Sequence, residues 1–438
     1  MMETWVTSSL TLAAIPILAA LLGLALWKWT GIFKVWTLVF LAATGLDLTA
    51  YPGLSSGDPT LGILMALIVL TAFLAVLGHN HQQKDTSAVL FITLILVGLG
   101  LGFMASEGGA RVSYLAEIFV LIGLALFYYG VRSREISWGA LGLYGLGLTC
   151  LAISIVVSGP MAAMLLFVAL MVAFPIFPFH GSFIATLSNL PGSMPAFLVV
   201  LVPTLGFFGI SSLLQSLPEW LMHSILVLAL VSALYGALKS LVQFRVGHLL
   251  AYTYLVQLGI VWWYVALSEA MTPQVVMYFS AVTLTTSGLY LASHHLETRF
   301  GHLDLDKMGG VALSMPRFAT IFVVLITAAT GLPLFAGFSF FFEMMLYVSA
   351  PFTWSALSIL AIWLIMSWYY PLLMHRILFG HPLVPRPPHK DLSPGEQAPL
   401  VLIVLVVMII GLVPFDLDGF PNSPVLSVHM EKVGIWRP

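Results

Sequence analysis

The stretch Phe174-Pro175-Ile176-Phe177-Pro178-Phe179-His180 places two prolines at the end of a long apolar run. Proline removes a backbone donor and its ring collides with the preceding turn, so a helix arriving from residue 160 must break here. A second stretch, Thr330-Gly331-Leu332-Pro333-Leu334-Phe335-Ala336-Gly337-Phe338, interrupts another apolar run with Gly331, Pro333 and Gly337. Glycine loosens what proline cuts. Inside a bilayer such a break survives only where protein or a water-filled cavity satisfies the freed backbone groups.

The sequence around both breaks is that of a bilayer protein. The 438 residues are 60% hydrophobic and 8% charged, against roughly 25% charged in a soluble domain. That leaves too few polar residues to clothe a soluble surface. A span needs about 20 apolar residues to cross about 30 Å of hydrocarbon. On that rule the chain reads as an all-α polytopic membrane protein with about fourteen transmembrane helices. They are expected near 8–27, 31–50, 60–78, 87–105, 113–130, 137–158, 160–178, 193–215, 219–240, 248–267, 273–293, 313–349, 353–378 and 398–414. The breaks fall in spans seven and twelve, five spans apart, as two inverted five-helix repeats (spans four to eight and nine to thirteen) would place them. Four segments follow. Residues 1–112 hold the N-terminal spans, 113–215 the first repeat and 216–378 the second. Residues 379–438 hold a polar loop, the last span and a tail from 415 that reads as a surface segment.

Charge placement orients the chain. Lys28, Lys34, Lys84, Arg132, Arg134, Arg245, Arg299, Lys307, Arg317, Arg376, Arg386 and Lys390 all fall in odd-numbered loops, while the even-numbered loops hold only Arg111. Positive residues gather on the cytoplasmic side, so both termini are expected to face away from it. The first apolar segment lacks a positive n-region and reads as a retained span, not a signal peptide. A net charge of −2 argues against a nucleic-acid partner. The one cysteine, Cys150, rules out an intramolecular disulfide, a cysteine-ligated zinc site and an iron–sulfur cluster. No cofactor is expected in this chain.

An ionisable side chain within a span is costly and therefore a functional candidate. Glu117 sits in span five, Lys239 near the end of span nine and Glu343 after the second break. His180 follows the first break and His248 starts span ten. Asp47 and Lys239 can snorkel to the interface, and His248 beside Arg245 reads as interfacial. His294, His295 and Glu297 lie together at a helix end without a convincing metal-site spacing. No Ser–His–Asp set or phosphate-binding glycine loop is present, so no redox or hydrolytic site is expected.

Four strings resemble one family, the antiporter-like membrane subunits of respiratory complex I, with relatives in Mrp antiporters, membrane-bound hydrogenases and formate hydrogenlyase. Phe177-Pro178-Phe179-His180-Gly181 is similar to the start of the family's "FPFHGWLPDA", whose acid is absent from Ser182-Phe183-Ile184-Ala185-Thr186. Gly236-Ala237-Leu238, Gln243 and Leu249-Leu250-Ala251-Tyr252 are similar to its "GAL…Q…LLAY". Leu303-Asp304-Leu305-Asp306-Lys307-Met308-Gly309-Gly310 with Met315-Pro316 is similar to "DLDKMGG…MP". Gly331-Leu332-Pro333 with Ala336-Gly337-Phe338 is similar to "GLPGFAGF". The register holds from about residue 113 to 345, and the M-type (D-type in chloroplasts) subunit is the nearest cousin.

The resemblance implies a row of ionisable groups at mid-membrane, coupled through their proton affinities. Carried over, the helix-five glutamate matches Glu117. The lysine positions of helices seven and eight fall on Ala173 and Thr204, the helix-eleven histidine near Val282, and the helix-twelve charge on Phe341. Glu343 lies two residues further, about 200° around a helix. The key lysines are therefore lost.

The resemblance implies a membrane subunit of a multi-subunit, energy-transducing complex in a bacterial cytoplasmic membrane. Its partners would be other membrane subunits and a peripheral catalytic module, with protons or sodium as the ions. Three roles are open: ion translocation through Glu117, Glu343, His180 or Lys239; a non-conducting scaffold; or the membrane partner of a carbonic-anhydrase-like inorganic-carbon protein. The lateral helix that larger family members add after the last span is not expected.

Overall fold

In a computed structural model, the chain is described at residues 2–49, 59–80, 83, 85–214, 217–301, 303–349, 353–380 and 390–412, with backbone alone at 2–10, 219, 349 and 353. The tail, residues 381–389 of the polar loop, and Lys84, Arg386, Lys432 and Arg437 lie outside the described residues. Those residues build a helical protein whose one β feature among them is an isolated bridge between Arg245 and Asp304.

The first six helices are α1 (Met2–Gly23), α2 (Thr30–Thr49), α3 (Pro59–Gly78), α4 (Thr86–Ala105), α5 (Gly108–Ser133) and α6 (Trp138–Val156). The first break separates α7 (Pro160–Ala173) from α8 (Gly181–Asn189). Then come α9 (Met194–Ser211), α10 (Glu219–Leu241), α11 (Val246–Ser268) and α12 (Pro273–Phe300). A single turn, α13 (Val311–Ser314), precedes α14 (Pro316–Ala329), and the second break separates α14 from α15 (Ala336–Ser349). The chain ends in α16 (Thr353–Leu378) and α17 (Pro394–Leu412). Among the described residues eleven helices are long and apolar enough to cross a membrane, and four shorter apolar ones accompany them.

Each expected apolar stretch holds a helix, with two differences. Several helices outrun their apolar cores, α12 most clearly. Its last turns, His294 to Arg299, carry the helix formers Leu296, Glu297 and Arg299 in a stretch that hydropathy alone discards. The seventh span was expected to continue to 178; its helix stops at Ala173, and α8 follows the break. Its sequence, Gly181-Ser182-Phe183-Ile184-Ala185-Thr186, is too polar to read as a span. The structure buries it by folding the hydroxyls back: Ser182 donates to the Phe179 carbonyl at 3.2 Å and Thr186 to the Ser182 carbonyl at 2.8 Å.

Helix α12 is the axis of the bundle. Its best membrane window is 100% buried, against 28% for α2 and 22% for α17. The central helices α11 and α12 are also the least apolar of the long spans. The reason is solvent: a lipid-facing helix must be apolar, whereas an interior one can carry hydroxyls that bond within the protein. On α12, Ser280, Thr285, Thr286 and Ser293 each donate to the carbonyl four residues back.

Neighbouring side chains satisfy both breaks. Ser232 accepts from the Phe177 amide at 3.3 Å and Trp262 donates to the Phe174 carbonyl at 3.4 Å. Ser367 donates to the Thr330 carbonyl at 3.0 Å. Gly331 takes φ +72°, left-handed backbone open to glycine, and exposed Leu334 takes φ 102°, a strained value for a residue with a Cβ.

Candidate functional site

The implied relay positions lie on four elements facing the bundle interior: Ala173 ends α7, Thr204 lies in α9, Val282 in α12 and Phe341 in α15. All four are buried. Aromatic rings fill the space beside the first break. The Phe174 ring is 5.7 Å from Phe207, 5.1 Å from Trp262 and 5.9 Å from Phe279, and Phe207 stacks on Phe279 at 4.6 Å. The Thr204 hydroxyl is turned onto its own helix, donating to the Val200 carbonyl at 2.6 Å. Beside the second break Phe341 stacks on Trp363 at 5.0 Å, with Tyr278 at 6.1 Å. Gln257, Tyr278, Thr285 and Gly337 line a cavity of about 10 Å³ there, the lower limit for one water.

The two acidic candidates point elsewhere. Glu117 was expected to be buried; it is exposed. The buried face of α5 carries Leu115, Ile118, Phe119 and Ile122, and a residue two beyond Leu115 lies about 200° away. Glu343 is exposed for the same reason, two residues past buried Phe341.

The first break brings two other candidates together. The buried ring of His180 stacks on Phe177 at 5.6 Å and meets Tyr235 edge-on at 5.0 Å. Lys239 Nζ lies 5.9 Å from the same Tyr235 ring. Pro175 and Pro178 lie in the turns between α7 and α8 that set this position. Half-buried His248 lines a cavity of about 280 Å³ with Arg245, His294, Glu297 and Asp304, and Arg245 approaches Asp304 at 3.7 Å.

The sequence did not single out His79. His79, at the end of α3, is buried and stacks on His294 with ring centres 5.6 Å apart. Its ring nitrogens meet Ser193 and Thr86 hydroxyls at 3.2 and 3.1 Å. His295 is buried beside His294, and its Nδ1 is 3.8 Å from Glu396, which accepts from Arg299 at 2.8 Å. Lys34 donates to the Leu77 and His79 carbonyls at 2.9 and 2.7 Å, closing the end of α3. A neutral polar row continues along α12: Tyr254 shares a hydrogen with Thr283 at 2.8 Å, and Ser287 donates to the Ala196 carbonyl at 2.6 Å. The adjacent histidines were visible in the sequence; that α3 and α17 meet them there was not.

This architecture, with a broken helix on either side of a buried axis, is matched by a family description, NADH:quinone oxidoreductase/Mrp antiporter, transmembrane, over residues 103–368. The chain belongs to that family. It is 24% identical over 418 residues to NADH-quinone oxidoreductase subunit N of Moorella thermoacetica, covering 91% of this chain and 85% of the relative. It is 26% identical to the chloroplastic NAD(P)H-quinone oxidoreductase chain 4 of Cryptomeria japonica, covering 85% and 83%. The fold is shared with a chain of the Mrp complex from Dietzia sp. DQ12-45-1b, with a TM-score of 0.78, 15% identity and coverage of 92% and 94%. Subunit N and chain 4 are matched almost equally, so the likeness extends beyond the M type. The protein is an antiporter-like integral membrane subunit.

Proposed function

We propose that this chain is the membrane scaffold form of an antiporter-like subunit within a multi-subunit, energy-transducing complex related to complex I. One observation carries the reading. Ala173, Thr204, Val282 and Phe341, where the family's ionisable row would stand, are buried and uncharged, and aromatic rings fill the space beside both breaks. An ammonium or carboxylate there would cost several kcal/mol without a partner, and alanine, valine and phenylalanine neither hold nor pass a proton. The named relatives support an assembly with other membrane subunits and a peripheral module, where any redox chemistry would reside. The distribution of Lys and Arg supports a cytoplasmic membrane with both termini on the far side. The breaks five spans apart support 113–215 and 216–378 as the two repeats.

The test is ion uptake by proteoliposomes of the purified parent complex, driven by its own substrates. Glu117→Gln, Glu343→Gln and His180→Ala should leave uptake within about twofold, while deleting the chain should lower the yield of assembled complex on native gels. A tenfold loss of uptake in Glu117→Gln would establish translocation through this subunit instead.

A further inference from the structure

Among the described residues Arg111 is the single Lys or Arg at its end of the bundle's loops, and aromatic rings and a backbone carbonyl hold it. It lies in the first turn of α5, at the opposite end of that helix from Arg132. Its guanidinium carbon stands 5.1 Å from the Phe208 ring centre and 5.9 Å from that of Phe103, and Nε donates to the Ser106 carbonyl at 2.9 Å. Rings and carbonyl together fix the plane of the guanidinium. No other hydrogen bond of Arg111 is found among the described residues, so the terminal nitrogens keep their donors.

Arg111 lines a cavity of about 490 Å³ between α4, α5, α7 and α9. Phe103, Leu166, Leu170 and Phe208 form much of its lining, and Glu107 and Arg111 bring charge to it. Glu107 and Arg111 do not form an ion pair within 4 Å among the described residues. The cavity therefore joins one anion-binding fork, one carboxylate and an apolar wall at the depth where a span begins.

We propose that this cavity binds a phosphoethanolamine lipid. The phosphate oxygens accept from the Arg111 terminal nitrogens in the paired geometry a guanidinium favours. The primary ammonium donates to Glu107, and an acyl chain lies along Leu166, Leu170 and Phe208. Charge complementarity selects this headgroup. The two side chains together are neutral, as is the zwitterion. An anionic glycerol headgroup would leave Glu107 facing net negative charge, and a choline headgroup has no N–H to donate.

The experiment uses the parent complex, delipidated in detergent and offered dioleoyl phosphatidylethanolamine, phosphatidylglycerol or phosphatidylcholine. Bound lipid is counted by native mass spectrometry and the melting temperature is followed in parallel. Phosphatidylethanolamine should be retained about tenfold better than the other two, and Arg111→Gln should remove that advantage. Glu107→Gln should move the preference toward phosphatidylglycerol. Leu166→Trp, which fills the apolar wall and spares both charges, should displace all three lipids. This arm stands even if Arg111→Gln melts lower without lipid. Equal retention of the three lipids, or unchanged phosphatidylethanolamine retention in Arg111→Gln and Leu166→Trp, overturns the proposal.

Discussion

Gly206 of α9 lies so close to Phe174 that a Cβ added at 206 would stand 2.4 Å from both the nitrogen and the Cβ of Phe174. The first break is therefore sealed by direct approach of the α9 backbone, one turn or less from Thr204. The obstructing atoms include backbone, which cannot rotate away as a side-chain tip could. Gly206→Ala should cost about 1–3 kcal/mol through overpacking, read as a lower melting temperature of the detergent-solubilised protein. An unchanged melting temperature would mean that this seam is loose.

Thr204 separates a hydroxyl from a charge at one site. Its hydroxyl serves only the Val200 carbonyl of its own helix, a bond of local character. Thr204→Val should shift stability by less than about 1 kcal/mol and leave ion uptake unchanged. Thr204→Lys places an ammonium at a fully buried position and should cost several kcal/mol. Wild-type melting of the lysine variant would show that the centre holds water after all.

Asp391 caps a helix more than seventy residues before it in the chain. Its carboxylate accepts from the Arg317 amide at 2.8 Å and the Phe318 amide at 3.1 Å, at the start of α14. Asp391→Ala should cost about 0.5–2 kcal/mol, as loss of a helix cap does. Hydrogen exchange should accelerate first at those two amides.

Arg299 and Glu396 tie α12 to α17. The pair measures 2.8 Å, with side chains 14% and 17% exposed. Arg299→Ala leaves the carboxylate beside buried His295 without its main partner and should cost about 3 kcal/mol. The double variant with Glu396→Gln should lose less than the sum of the singles, because removing both ends leaves no orphaned charge. Thermal unfolding of the four proteins completes the cycle; simple additivity would show that the pair contributes nothing.

Much of this protein is visible in residue order. Lipid replaces water as the solvent around most helices, so long apolar runs announce spans wherever they occur. Pro175, Pro178, Gly331 and Pro333 announce the breaks because proline and glycine act on the backbone through their own covalent structure. By contrast α8 stayed hidden, since burying Ser182 and Thr186 depends on carbonyls that only the folded turn presents.

What the sequence determined by itself is therefore the solvent, the apolar spans and the two interruptions, all consequences of local chemistry. Tertiary structure decided direction and company. It turned Glu117 and Glu343 outward, because helix rotation is set by packing and not by the charge on one face. It filled the space beside Ala173 with Phe174 from the break itself and with Phe207, Trp262 and Phe279 from three other helices. It also joined His79, His294 and Glu396 across hundreds of residues, a juxtaposition that arises only when α3 and α17 pack against the buried axis of α12.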